Sequence, residues 1–318
     1  MASPRSSCCS LVSSACGGDF ARRRYIVRIT AQPFPILVGP LSLVDLLLLL
    51  APIAVVPLGL RLVPVSGTQA KRLLRAARML QPAGAVAAIL SFVPHTGMPA
   101  AVVALGWLAV CAIAGLAGLA ELIESRSLRP AHLLPGAALG FLTVAGAWFV
   151  AYRAGTSLGY STPIVELTAV HFHYAGFAAT LMSALTFAAL RERSPAVHLS
   201  SAAAGLLVVA GTPLTATGIA TGTAALTVIG PVLLATGILT TAALTLLFIA
   251  PARRARAGRW LLTISAVVVV LPMLLGVDYA AARVLPIPAL DLRTMAIVHG
   301  DLNAVFYVLF GLAGWSIA

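Results

Sequence analysis

The sequence predicts an all-α fold, a polytopic transmembrane bundle of about nine helices. Of the 318 residues, 60% are hydrophobic and only 9% are charged, and the mean hydropathy is +1.01. Soluble domains carry about 25% charged residues, so this chain could not cover a water-facing surface. Apolar runs near the length of about 20 residues that crosses a bilayer as a helix recur along the chain. These observations exclude a soluble enzyme, a DNA-binding module and a disordered chain.

The chain divides into a tail and one membrane domain. Residues 1–31 carry five Arg residues and lack the apolar core of a signal peptide, so we expect a flexible basic N-terminal tail. Residues 32–318 are predicted to form a single transmembrane helical domain. A short Gly/Thr turn joins the sixth and seventh runs, and a broken or re-entrant pair is the alternative there. The predicted runs are 36–60, 79–94, 99–123, 133–152, 163–190, 198–220, 223–250, 260–277 and 293–317.

Basic residues are distributed unequally between the two sets of loops. The loops after odd-numbered runs hold 13 Lys or Arg residues, and those after even-numbered runs hold three. Cytoplasmic loops are enriched in these residues, which predicts a multi-pass protein of the bacterial cytoplasmic membrane with its odd loops in the cytoplasm. The five Arg residues of the tail oppose this orientation. The same rule explains the net charge of +12 without nucleic acid, and no nucleotide-binding loop motif is present.

Ionisable side chains inside membrane spans are rare and mark functional sites. Asp45 lies in the first run and is expected to point inward to a polar partner, because a carboxylate facing lipid would cost several kcal/mol. The fifth run contains Glu166, His171 and His173, and the ninth contains His299 and Asp301.

The fifth and ninth runs place their polar residues at similar depths. His173 lies ten residues after Pro163, and Asn303 lies ten residues after Arg293, which is about 15 Å into each helix at 1.5 Å per residue. His95 lies in the turn between the second and third runs, at the end of the bundle where the fifth and ninth runs begin, and could reach this layer. We therefore expect the two helices to be neighbours and to share one polar site, with Glu166 or His173 within reach of the ninth helix.

Helical spacing limits which side chains converge. Glu166 and His173 share a face, as do His299 and Asn303, whereas His171 and His173 project about 200° apart, so His171 should bond to another helix. Neutral imidazoles with a carboxylate suit Zn²⁺ or Fe²⁺, which predicts His173, His299 and Glu166 as metal ligands. The same groups could instead exchange protons, or simply form interhelical hydrogen bonds. The predicted catalytic residues are Glu166, His171, His173, His299, Asp301 and Asn303, and the predicted substrate-binding residues are Tyr174, Asp45 and His95.

Two segments resemble a known family. The strings from Glu166 to Phe177 (ELTAVHFHYAGF) and from His299 to Ala304 (HGDLNA) resemble the YndJ-like family of bacterial integral membrane proteins, and the resemblance runs from about residue 40 to the end. It implies a multi-helix membrane protein and carries no settled activity. The family usually has an uncharged residue where this chain has Asp301.

Two functions are compatible with these residues. The first is a membrane-embedded enzyme that acts on a small, moderately lipophilic substrate, with His173 and His299 binding metal or exchanging protons, Glu166 as base or ligand, and Asn303 orienting the substrate. The second is a secondary transporter whose His/Glu site binds substrate or couples protons. Transporter folds often contain internal repeats, and the absence of a visible repeat favours the enzyme. The expected partners are the lipid bilayer and a small molecule, without nucleic acid or a nucleotide cofactor.

Overall fold

Nine helices within residues 34–39 and 41–317, the part of the chain that the computed structural model describes, are long and apolar enough to cross a membrane. They confirm the predicted all-α transmembrane fold. The predicted tail, residues 1–31, lies outside the described residues. A two-stranded antiparallel hairpin of β1 (Ile36–Val38) and β2 (Leu41–Ser42) precedes the helices. The helices are α1 Leu43–Leu62, α2 Thr68–Leu90, α3 Met98–Ser125, α4 Pro130–Ala154, α5 Thr162–Ala189, α6 Pro195–Thr221, α7 Ala224–Ile249, α8 Arg256–Ala281 and α9 Leu292–Ser316.

The first two helices begin at other residues than hydropathy predicts. The predicted first run starts at residue 36, but Ile36–Val38 and Leu41–Ser42 form the hairpin, Gly39 between them has a φ of +55°, and α1 starts after the N-cap Ser42. Helix α2 starts at Thr68 rather than at residue 79. Its first turns are rich in Lys, Arg, Leu and Ala, which are strong helix formers even where they are not apolar. The basic residues assigned to the first loop therefore lie mostly on α2.

Helices α6 and α7 form a tight antiparallel hairpin of two full-length helices, so the broken or re-entrant alternative does not apply. Gly222 ends α6 with a φ of +65°, a conformation that glycine adopts without strain. Close approach of the two backbones needs further glycines. A Cβ on Gly211 would lie 2.5 Å from the backbone nitrogen of Leu234.

Four helices contain π-helical segments, which are rare and often occur at functional sites. The segments in α1, α5 and α9 contact one another near the centre of the bundle. We number the four segments in chain order, so these three are π1, π2 and π4, and the segment in α7 is π3. Their bounds are Ala51–Val55 for π1, Phe172–Ala179 for π2, Thr245–Ile249 for π3 and Leu302–Leu309 for π4.

Two prolines explain the backbone of π1. The Val56 N–H donates to Ala51, five residues back, and the next donor in this register would be Pro57, which has no N–H. The carbonyl of Pro52 is thus left without a backbone donor. The buried side chain of Gln81 on α2 supplies one, with its Nε2 2.7 Å from that oxygen.

We name the two ends of the bundle by their loops. The even-loop end contains the first residues of α1, α3, α5, α7 and α9, and the odd-loop end contains their last residues. Large buried side chains fill the interior between these ends, with Trp107, Phe149, Phe177 and Tyr307 among the largest. The polar candidates in α1, α5 and α9 lie from the even-loop end towards this core.

Candidate functional site

Asp45 is fixed at the even-loop end by three hydrogen bonds. It is the third residue of α1 and closes a capping box with Ser42, in which each side chain binds the other residue's backbone N–H at 2.9 and 3.1 Å. Its other carboxylate oxygen accepts a 2.7 Å bond from the Tyr152 hydroxyl on α4. Only 6% of the residue is exposed. The prediction that Asp45 points inward to a polar partner is confirmed.

Glu166 lies beside this pair and is less well satisfied. It is 5% exposed, and its Oε1 atom is buried without a hydrogen-bond partner among the described residues. Helices α1 and α5 are in contact here, and the charges of Asp45 and Arg153 both act on Glu166. A buried polar atom without a partner costs about 1–3 kcal/mol. Such an atom in a native site needs an explanation, such as a catalytic role, strain, or a bound water or ion.

Arg153 supplies the positive charge of this cluster without a direct ion pair. Its guanidinium donates to the Ser91 carbonyl at 3.2 and 3.0 Å and to the Pro94 carbonyl at 3.2 Å, at the end of α2. It also stacks 4.2 Å from the centre of the Phe92 ring. The cation is thereby held rigidly next to two carboxylates. We call Asp45, Tyr152, Arg153 and Glu166 the carboxylate cluster.

His173 has no ring nitrogen available for a ligand. It is fully buried in π2, with Nδ1 2.8 Å from the Ala169 carbonyl and Nε2 3.1 Å from the indole nitrogen of Trp107. Indole N–H only donates, so Nε2 accepts and Nδ1 carries the proton. The Trp107 ring stacks on the imidazole at 5.9 Å between centres. These bonds fix His173 as a neutral ring in a packed core.

His171 and His299 each bond a backbone carbonyl of another helix. Nε2 of His171 lies 3.1 Å from the Thr212 carbonyl on α6, which confirms that His171 bonds to another helix. Nδ1 of His299 lies 2.7 Å from the Pro272 carbonyl on α8. Both rings donate these bonds, because a carbonyl only accepts.

The predicted contact between the fifth and ninth helices is present, through π2 and π4, but the hydrogen bonds of Asn303 and Tyr174 go elsewhere. Asn303 donates to the backbone of His299 at 2.8 Å, one turn earlier on its own helix. Tyr174 donates to the Leu47 carbonyl of α1 at 2.7 Å. Asp301 is half-buried and His95 is exposed in the turn before α3.

The metal site predicted from His173, His299 and Glu166 does not form in this arrangement. The recorded partners of His173 are Trp107 and Ala169, whereas those of His299 lie on α8 and α9. Within residues 34–39 and 41–317, no three His, Cys, Asp or Glu side chains are placed to hold a metal ion together. The reason is rotational, since similar depth on two helices does not make their polar faces point at one another.

The segment before α1 packs against three helices at the even-loop end. Phe34 is 5% exposed and packs with Val44 of α1 and Ala296 of α9, against Leu167 and Val170 of α5. The Leu43 N–H donates to the Pro35 carbonyl at 2.9 Å.

Two partners of the candidate residues had not been predicted. Tyr152 and Trp107 hold Asp45 and His173, but they lie 107 and 66 residues away in the chain, so spacing could not identify them. A local signal did exist for Asp45. The Ser42-Leu-Val-Asp45 pattern has the spacing of a capping box, which places this carboxylate at a helix start.

Comparisons with known proteins identify the family. The family described as YndJ-like protein matches residues 46–307, most of the chain. The chain therefore belongs to the YndJ-like family, as its HFHYAGF string predicted. No curated protein and no solved structure matches it significantly.

Proposed function

We propose that this member of the YndJ-like family is a secondary transporter in which Glu166 binds and releases the coupling proton. The observation that carries the proposal is the buried Oε1 of Glu166, which has no partner although Asp45 and Arg153 interact with it electrostatically. The geometry favours this function over a metal-dependent enzyme, because both nitrogens of His173 are already bonded. We also propose that the odd loops face the cytoplasm.

The cluster assigns different roles to its two carboxyl groups. Asp45 accepts bonds from a backbone N–H and a phenol, so both of its carboxylate oxygens already have donors. Glu166 receives no bond at Oε1, so a proton is the simplest partner for that oxygen. In the proposed cycle the proton adds to the Glu166 carboxylate from one side of the membrane and leaves to the other. The Arg153 charge stabilises the carboxylate after the proton has left.

We expect the π segments to change conformation during the transport cycle. A π segment can return to α-helical hydrogen bonding and thereby shift the register of the residues that follow. Segments π1, π2 and π4 contact one another, and π2 begins six residues after Glu166. We propose that a change of register in these segments exposes Glu166 alternately to the two sides.

Infrared difference spectroscopy between acidic and alkaline pH tests proton binding directly. Purified wild-type protein in detergent should show the carbonyl band of a buried neutral carboxyl group, and the Glu166→Gln variant should lose it. The Glu192→Gln variant is the matched control, because Glu192 is exposed at the odd-loop end, and it should retain the band. An identical band in wild type and Glu166→Gln would refute the role of Glu166.

A membrane enzyme is the second candidate, supported by the His171–His299 pair. Each ring uses one nitrogen for a carbonyl, which leaves the other nitrogen of each neutral ring as a lone pair for acid–base chemistry. An enzyme turns over in detergent, whereas a transporter needs a sealed compartment. Turnover in detergent that is lost in both His171→Ala and His299→Ala would favour the enzyme over the transporter.

A further inference from the structure

A cavity of about 340 Å³ opens at the odd-loop end, the opposite end of α5 from Glu166. It lies where α5, α7 and α9 end, and we call it the basic cavity. Its principal lining residues are Leu190, Arg193, Phe248, Ile249, Arg253 and Trp315.

The basic cavity has an uncompensated positive charge. Two guanidinium groups line it, and its lining includes no carboxylate among the described residues. The nearest acidic residue in sequence, Glu192, is exposed and bonds its neighbour Arg191 at 3.1 Å. An anion is therefore the ligand that the local charge favours.

Both arginines are stacked on aromatic rings, which leaves the edges of their guanidinium groups free to donate. Arg193 lies 5.5 Å from the ring centre of Phe248, and Arg253 lies 4.7 Å from that of Trp315. A guanidinium in this arrangement suits the oxygens of a phosphate. Rigid stacking also lowers the entropy lost on binding.

Two polar atoms of the lining residues lack partners. Nε of Arg253 and Nε1 of Trp315 are both buried without a hydrogen bond. Burial also lowers the pKa of Arg253, because desolvation penalises its cation. An anion bound here would offset that penalty.

The remaining lining is apolar. Leu190 and Ile249 belong to a buried cluster that Phe248 and Trp315 extend, so the cavity combines an anion-binding edge with a hydrophobic wall. A free inorganic ion would leave that wall without a partner, whereas an amphiphile would cover it. Basic pockets between transmembrane helices are known to bind phospholipid head groups.

We propose that the basic cavity binds the phosphate ester of an anionic phospholipid, with Arg193 and Arg253 holding the phosphate oxygens and the apolar wall contacting the acyl chains. The site is independent of the proposed transport function.

Thermal unfolding in a neutral detergent tests the site. Short-chain phosphatidylglycerol should raise the melting temperature of the wild-type protein as its concentration increases, and phosphatidylcholine of the same chain length should not. The Arg193→Gln/Arg253→Gln variant should need at least about tenfold more phosphatidylglycerol for the same effect. The matched control is Arg254→Gln/Arg256→Gln, which removes two exposed charges outside the lining and should respond like wild type.

The outcomes separate the possible ligands. Equal stabilisation by the two lipids, or an unchanged response in the Arg193→Gln/Arg253→Gln variant, would overturn the proposal. Stabilisation by inorganic phosphate without an effect of phosphatidylglycerol would overturn the lipid as the source of the phosphate. If the double variant does not fold, native mass spectrometry of wild type in an equal lipid mixture decides, since the proposal requires preferential retention of phosphatidylglycerol.

Discussion

Replacing Gln81 with Leu should destabilise the bundle through one backbone atom, the carbonyl of Pro52. The Gln81 amide donates to that oxygen at 2.7 Å. The backbone offers no substitute, because the Val56 N–H is bonded to Ala51 and Pro57 has none. Side-chain hydrogen bonds in membrane proteins contribute about 0.6 kcal/mol on average and about 1.7 at most, and an orphaned buried acceptor costs about 1–3 kcal/mol. We expect a loss of about 1–2 kcal/mol for Gln81→Leu.

Unfolding in mixed micelles of neutral detergent and dodecyl sulfate, followed by circular dichroism, measures this loss. Gln69→Leu is the matched control, because Gln69 is exposed on the same helix, and its effect should stay within about 0.5 kcal/mol. Pro57→Ala restores an N–H at the position that would serve Pro52 in the π register. The Gln81→Leu/Pro57→Ala variant should therefore lose less stability than the sum of its two single variants.

The double-mutant cycle makes the reasoning refutable. A coupling energy above about 0.5 kcal/mol identifies a shared acceptor, since distant sites add within that range. Strict additivity, or a Gln81→Leu variant as stable as wild type, would show that the Pro52 carbonyl finds another donor. The explanation of π1 by its two prolines would then be wrong.

Two further predictions concern the helix contacts and the start of α9. Gly211→Ala should lower the unfolding free energy by about 1–3 kcal/mol in the same unfolding assay, because its new Cβ would meet the Leu234 backbone. Gly140→Ala is the control: a Cβ there has nothing within 4 Å, so this variant should be as stable as wild type or more stable by up to about 1 kcal/mol. Hydrogen bonds from the Thr294 N–H and hydroxyl lower the pKa of Asp291 at the N-cap of α9. This carboxylate therefore stabilises the fold above its unfolded-state pKa, and its contribution is lost as pH falls through the lowered folded-state value. The melting-temperature difference between wild type and Asp291→Ala should shrink over that acidic range, and a difference independent of pH would contradict the role of the carboxylate.

Hydropathy predicted the architecture because a bilayer imposes one requirement on every span. Each crossing needs about 20 apolar residues with internal backbone hydrogen bonds, so run length alone located all nine helices. It failed at boundaries where another rule applies. Residues 36–42 are apolar enough for a span. The turn at Gly39 and the N-cap at Ser42 nevertheless make the first helix begin only at Leu43.

The polar site was predicted in its layer but not in its contacts. Depth follows from counting residues, and it correctly brought α5 and α9 together. Which side chains meet depends on the rotation of each helix, and π2 alters that rotation within the motif itself. The i, i+7 relation between Glu166 and His173 assumes a regular α-helix. The structure instead bonds His173 to Trp107 of α3.

Whether its polar atoms have hydrogen-bond partners distinguishes one candidate residue from another better than its chemical type does. Within the described part of the chain, His171, His173, His299 and Asn303 each bond to a backbone carbonyl or an indole, so their presence in the membrane has a sufficient structural cause. Glu166 has the one buried oxygen among the predicted site residues that lacks a partner. A buried group that lowers stability and forms no stabilising contact indicates a function. The histidines carry the family motif, but the proposed function assigns the proton to the unpaired carboxyl oxygen of Glu166.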